Sequence, residues 1–139
     1  MMKIVVATPP NFDEIDKAFN VKGKPIFFCY GDKIFNPAGA HIPEAILMHE
    51  KVHSVRQGDD PATWWTRYIN DKKFRFAEEL EAHRVEFTWH RTRPDAQKAI
   101  PGWRSKEQYY LTQIAQRLSS PLYGSMVSTS EAKRLISGG

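Results

Sequence analysis

Ile4-Val5-Val6-Ala7 is a run of apolar, mostly β-branched residues stopped by Pro9-Pro10, and it predicts a short strand. Asn11 then stands where an N-cap would, ahead of a helix through Ile15 and Phe19. A second extended stretch, Pro25 to Tyr30, meets Lys33-Ile34-Phe35-Asn36 across Gly31-Asp32, a two-residue connection suited to a tight hairpin. The opening third is therefore expected to be a small antiparallel β layer. Beyond the loop Pro37-Ala38-Gly39-Ala40 the period becomes helical. Ile42-Pro43-Glu44-Ala45-Ile46-Leu47-Met48, continued by Val52 and Val55, places apolar residues around most of a helix, which should be buried. Pro43 and Gly58 mark its entry and exit, and Glu44 lies near the positive end of its dipole.

Everything after it reads as helical. Pro61 to Ile69 is a short helix carrying Trp64 and Trp65, and Asp71 caps a longer one from Lys72 to about Arg91, ended by Pro94. The chain breaks again at Pro101-Gly102, and Ser105 to Leu118 shows helical spacing. Ser128-Thr129-Ser130-Glu131 is a capping box ahead of Ala132, Leu135 and Ile136. There are no internal repeats or low-complexity segments. The fold class is α+β, with a β layer packed on a mostly helical body, and 139 residues fit a single domain, 1–139.

Composition removes several function classes. With 41% hydrophobic residues, 12% aromatics and 26% charge, the chain belongs with ordinary globular proteins and not disordered ones. The net charge of +4 is spread along the sequence, densest from His83 to Arg93, without an aromatic-basic repeat or a nucleic-acid signature. No nucleic-acid partner is expected. The amino-terminal apolar stretch is too short for a signal-peptide core or a membrane span, so the chain is read as cytoplasmic with no membrane partner. Its only cysteine, Cys29, cannot form an internal disulfide and is read as a small core residue. The four tryptophans are read as packing, His41 as a loop residue and His90 as exposed.

The candidate chemistry begins at His49-Glu50-Lys51-Val52-His53. On a helix, His49 and His53 lie one turn apart on the same face and can reach one metal ion. Glu50 sits about 100° around that helix, beside the metal as a base and not a ligand. That is the arrangement of a zinc-dependent hydrolase. The bland alternative is a pair of core histidines, but their ring nitrogens need partners, which a shared metal supplies more completely than two unrelated hydrogen bonds.

Catalytic zinc takes three protein ligands and leaves a position for water, so a further ligand must come from elsewhere. The following helix reads Phe76-Ala77-Glu78-Glu79-Leu80-Glu81-Ala82-His83 and offers Glu78, Glu79, Glu81 and His83. Glu79 and His83 share a face at a spacing of four, so Glu79 can ligate while His83 stands behind it or contacts substrate. For Glu78, Glu81 and Glu86 a solvated helix face paired with Arg75 and Arg84 is the expectation.

With these motifs the chain resembles the gluzincin clan of metallopeptidases, some of which carry Glu-x-Glu-Ala-Asp with zinc on the first glutamate. Glu79-Leu80-Glu81-Ala82 matches, and His83 stands where that pattern has Asp. The likeness covers roughly Pro25 to Ile136 and is similar to a minimal gluzincin of the kind encoded by phages, including the segment Ser119 to Val127. It implies a zincin-like metallopeptidase with Zn²⁺ on His49, His53 and Glu79, Glu50 as base, and a peptide or protein as substrate. His83, Tyr123 or Tyr110 would stabilise the oxyanion, and the strand Lys33 to Asn36 or its hairpin partner would offer an edge for substrate. The competing expectation is a non-catalytic or latent protein on the same scaffold, its Gly124 to Gly139 tail folded over the metal. Neither the oligomeric state nor the cleavage preference follows from the sequence.

Overall fold

The computed structural model describes residues 2–93 and 102–138, and the stop expected at Pro94 and the break at Pro101 lie outside them. Length alone predicts one domain; the backbone gathers into two compact units, 1–71 and 72–139. The class is α+β, and the described residues form six α-helices and a small three-stranded sheet.

The first unit opens with β1 (Lys3–Val5), α1 (Phe12–Phe19), β2 (Phe28–Tyr30) and β3 (Lys33–Phe35). The hairpin turns at Gly31, whose φ of +64° is a left-handed conformation that glycine adopts without strain. The layer is not purely antiparallel. The strand order is β1-β3-β2, and β1 runs parallel to β3 with Ile4 opposite Ile34. Lys3 N–H donates to the Asp32 carbonyl at 3.0 Å and Asn36 N–H to that of Val5 at 2.8 Å. A tight turn dictates the direction of β3 against β2, whereas α1 separates β1 from the hairpin and leaves the flank it joins to tertiary packing. β3 is thus the central strand and offers no edge to a substrate. Its hairpin partner β2 is an outer strand, but its Cys29 carbonyl already accepts from Gln57 Nε2 and Trp65 Nε1 at 2.8 and 2.9 Å.

Two helices complete this unit, α2 (Glu44–Gln57) and α3 (Pro61–Asn70). The approach to α2 is clamped by Asn36, whose Nδ2 donates to the Ala40 carbonyl at 2.7 Å while its Oδ1 accepts from Ala40 N–H at 3.2 Å. α3 has Asp60 as N-cap, accepting from Thr63 N–H, with Pro61 in its first turn. The interior is aromatic. Trp64 and Trp65 are buried, as packing residues should be, and Trp64 stacks on Tyr68 with centroids 4.9 Å apart. Phe12 meets Phe28 edge-on, and Phe19 meets Tyr68.

The second unit holds α4 (Lys72–Arg91), α5 (Trp103–Leu118), a 3-10 turn (Pro121–Tyr123) and α6 (Thr129–Ser137). Phe87, Leu111, Ile114, Ala115, Leu118, Ala132 and Ile136 form its core. Ser128 caps α6 as the capping box requires, accepting from Glu131 N–H at 3.1 Å. α6 packs on both α4 and α5 and buries Ala132 and Ile136 there. α6 is therefore a core helix of this unit. Among the described residues no helix is long and apolar enough to cross a membrane.

Candidate metal centre

α2 turns a polar stripe inward. Its buried residues are Ala45, His49, Glu50, His53 and Gln57, whereas Ile46, Leu47, Met48 and Val52 are only half-buried and Val55 is 72% exposed. The apolar wrap expected around this helix is thus corrected: its buried side is set by the i, i+4 series from Ala45 to Gln57. Gln57 anchors that series to the hairpin, accepting from Gly31 N–H at 2.6 Å and donating to the Cys29 carbonyl.

One turn before Gln57, His53 meets His49 nitrogen to nitrogen. The two Nε2 atoms lie 3.2 Å apart with ring planes at 79°, and the other side of His53 faces Trp64 at 5.4 Å between centroids. At that separation either one ring donates to the other or both lone pairs face a single cation. Glu50 is buried on the neighbouring flank of the same turn. The adjacent thiol offers no rival chemistry. Burial foremost, then the charge of Glu50, pushes Cys29 well above the ordinary thiol range against an opposing hydrogen bond from Ser54, so it stays protonated and inert near neutrality.

α4 carries the second polar stripe. Arg75, Glu78, Glu79, Ala82, His83 and Glu86 are all buried at i, i+3 and i+4 spacing, so the solvated face expected for Glu78 and Glu86 is overturned. Only Glu81 fits that expectation, pairing with Arg84 at 2.9 Å. His83 is 0% exposed and lies between two carboxylates: Nδ1 is 3.1 Å from Glu86 Oε1, and Nε2 is 3.9 Å from Glu79 Oε1. Glu86 in turn pairs with Arg117 of α5.

The 3-10 turn delivers Tyr123 to this group. Arg75 Nη1 donates to the Leu122 carbonyl at 3.4 Å, and Gly124 closes the turn at φ +86° with its N–H on the Pro121 carbonyl. The positive φ is what calls for glycine at position 124, where a Cβ would also stand 3.2 Å from the flexible Lys72 side chain. Tyr123 consequently lies beside His83, ring centroids 6.0 Å apart. Tyr110 does not. It stacks on His90 at 3.8 Å, seven residues or roughly 10 Å further along α4, and that ring is half-buried where exposure was expected. His41 is exposed, as a loop residue should be.

No family model, no curated protein and no solved structure matches this chain. Within the first unit, then, the structure brings His49, Glu50 and His53 together; within the second it brings Glu79, His83 and Tyr123 together. Sequence reasoning missed Arg117 and Glu86. The signal was Ala82, a small residue in the middle of an acidic run, which marks the inward face of a helix better than the charges around it do.

Proposed function

We propose that this protein is a zinc-dependent peptidase of gluzincin type, with a peptide or protein as substrate. The observation that carries the reading is the pair of facing Nε2 atoms on α2, 3.2 Å apart and buried, with Glu50 on the next flank. That donor set fits Zn²⁺: two imidazole nitrogens already converge, and a buried carboxylate on another helix is the customary third ligand. His49, His53 and Glu79 would hold the ion. Bound there, it would supply Lewis acidity, bringing the pKa of a water towards about 7 and polarising the scissile carbonyl.

The chain's own residues do the rest. Glu50 accepts the proton of the attacking water and delivers it to the departing amine, so one carboxylate serves as base and then as acid. His83 and Tyr123 donate hydrogen bonds to the oxyanion that develops on the carbonyl. Both are fixed within one unit, the histidine by its carboxylates and the tyrosine by its turn.

Glu50→Gln tests the reading on a peptide-library digest. The variant is expected to keep its zinc and its fold while cleavage falls by roughly 10²- to 10⁴-fold, the usual contribution of a positioned acid-base group. Equal turnover by variant and wild type on any peptide that is cut would remove Glu50 from the mechanism.

A further inference from the structure

We infer that Trp64 is a positioning residue for His53: its indole, fixed by the other aromatic rings of this unit, holds the imidazole against His49 before any ion arrives and so raises the affinity of the pair for zinc. What the held ring binds rests on the zinc-peptidase reading; how it is held does not.

A helix fixes the Cβ of His53 but leaves its side chain two torsions, χ1 in staggered wells and χ2 broad. Only a narrow combination of them brings its Nε2 to 3.2 Å from that of His49, so the pairing needs a wall that selects it. His53 is buried between two such neighbours. His49 stands on one side at 4.9 Å between centroids with the planes at 79°, and Trp64 on the other at 5.4 Å and 58°. In a close-packed interior the imidazole cannot swing away from His49 without displacing the indole.

The indole is a rigid wall because its own place is fixed several times over. Asp60 caps α3, accepting from Thr63 N–H at 3.1 Å and from the Thr63 hydroxyl at 2.6 Å, and Trp64 follows one turn into the helix. Tyr68, a turn further on, stacks on Trp64 at 4.9 Å and 23°, and Trp65 meets it edge-on at 5.2 Å. Those two are anchored in turn. Trp65 Nε1 donates to the Cys29 carbonyl of β2 at 2.9 Å, and Phe19 of α1 lies edge-on to Tyr68 at 6.1 Å. Trp64 therefore passes the packing of α1, α3 and the hairpin onto one ring of α2. Trp65 supplies the contrast, since it is as buried as Trp64 but packs its ring on Trp64 and Tyr68.

A ligand ring held in place beforehand spares the ordering that binding would otherwise have to offset. Freeing one such side chain should cost about 3- to 10-fold in affinity.

The test reads ring geometry and metal affinity separately, on the whole chain. In protein stripped of metal by a chelator, nuclear Overhauser contacts between the ring protons of His49 and His53 are expected, since each Nε2 is flanked by C–H groups and the two nitrogens are 3.2 Å apart. Trp64→Leu fills much of the space without a flat wall. It should weaken those contacts and lower zinc affinity, measured by chelator competition, about 3- to 10-fold. Should that variant fold poorly, Trp64→Met gives similar volume with more freedom to pack. Trp64→Phe restores a flat ring and should recover most of both readouts. Trp65→Phe should lower stability to urea while leaving both near wild type.

Trp64→Leu and Trp64→Met proteins that keep the wild-type ring contacts, or that lose them with zinc affinity unchanged, would overturn the inference. So would a Trp65→Phe protein that loses as much of both as Trp64→Leu does, since the effect would then belong to the stability of the aromatic cluster. If the wild type takes up no zinc, the metal centre fails, while the ring contacts of the metal-free proteins still decide how His53 is held.

Discussion

α2 and α4 both turn polar residues inward, but they satisfy them by opposite means. On α2 two rings meet nitrogen to nitrogen, and the stripe ends in an amide, Gln57, bonded to backbone of the hairpin. On α4 a single ring lies between carboxylates, one of them neutralised by an arginine from another helix. The contrast separates two kinds of histidine. In the proposed reading, the ring that faces another ring shares a cation with it, and the ring backed by a carboxylate is oriented by that carboxylate.

The sharpest way to break that contrast is to exchange the roles. His53→Ala should lower zinc affinity by more than the roughly 10- to 100-fold that loss of an orienting partner costs, since it removes a proposed ligand. His83→Ala should leave zinc bound and reduce cleavage. Competition with a chelator reads both, and equal zinc loss in the two variants would make His83 a ligand and erase the distinction. A smaller effect is expected at the far end of the α2 stripe. Gln57→Ala orphans the Gly31 N–H, while the Cys29 carbonyl keeps its bond from Trp65, so the cost should be about 1–3 kcal/mol in urea unfolding. Zinc affinity should change little.

The same contrast decides what could be read from the amino-acid sequence. α3 and α6 begin where Pro61 and the capping Ser128 place them, because those signals are local, and α1 begins after Asn11 although that side chain makes no capping bond. The pair His49 and His53 was legible for a similar reason: a spacing of four on a helix needs no tertiary knowledge. What was not legible depends on partners distant in sequence. A buried ion pair and a surface one have the same residues, so Glu86 reads as solvent-facing until Arg117, 31 positions away, is seen against it. Val55 reads as core by its side chain, yet it lies on the side of α2 that His49, His53 and Gln57 leave outward. The hairpin was legible through Gly31-Asp32, but the parallel seating of β1 was not, since no short-range signal says which flank of a hairpin an earlier strand will join.

Metal content tests the central claim most directly. Protein purified without added zinc and measured by elemental analysis should carry about one zinc per chain, the number that two histidines and one carboxylate hold. Glu79→Ala purified alongside it should carry much less. Wild-type protein without zinc that also takes none up when the ion is supplied, or a Glu79→Ala protein with undiminished zinc, would contradict the proposed centre.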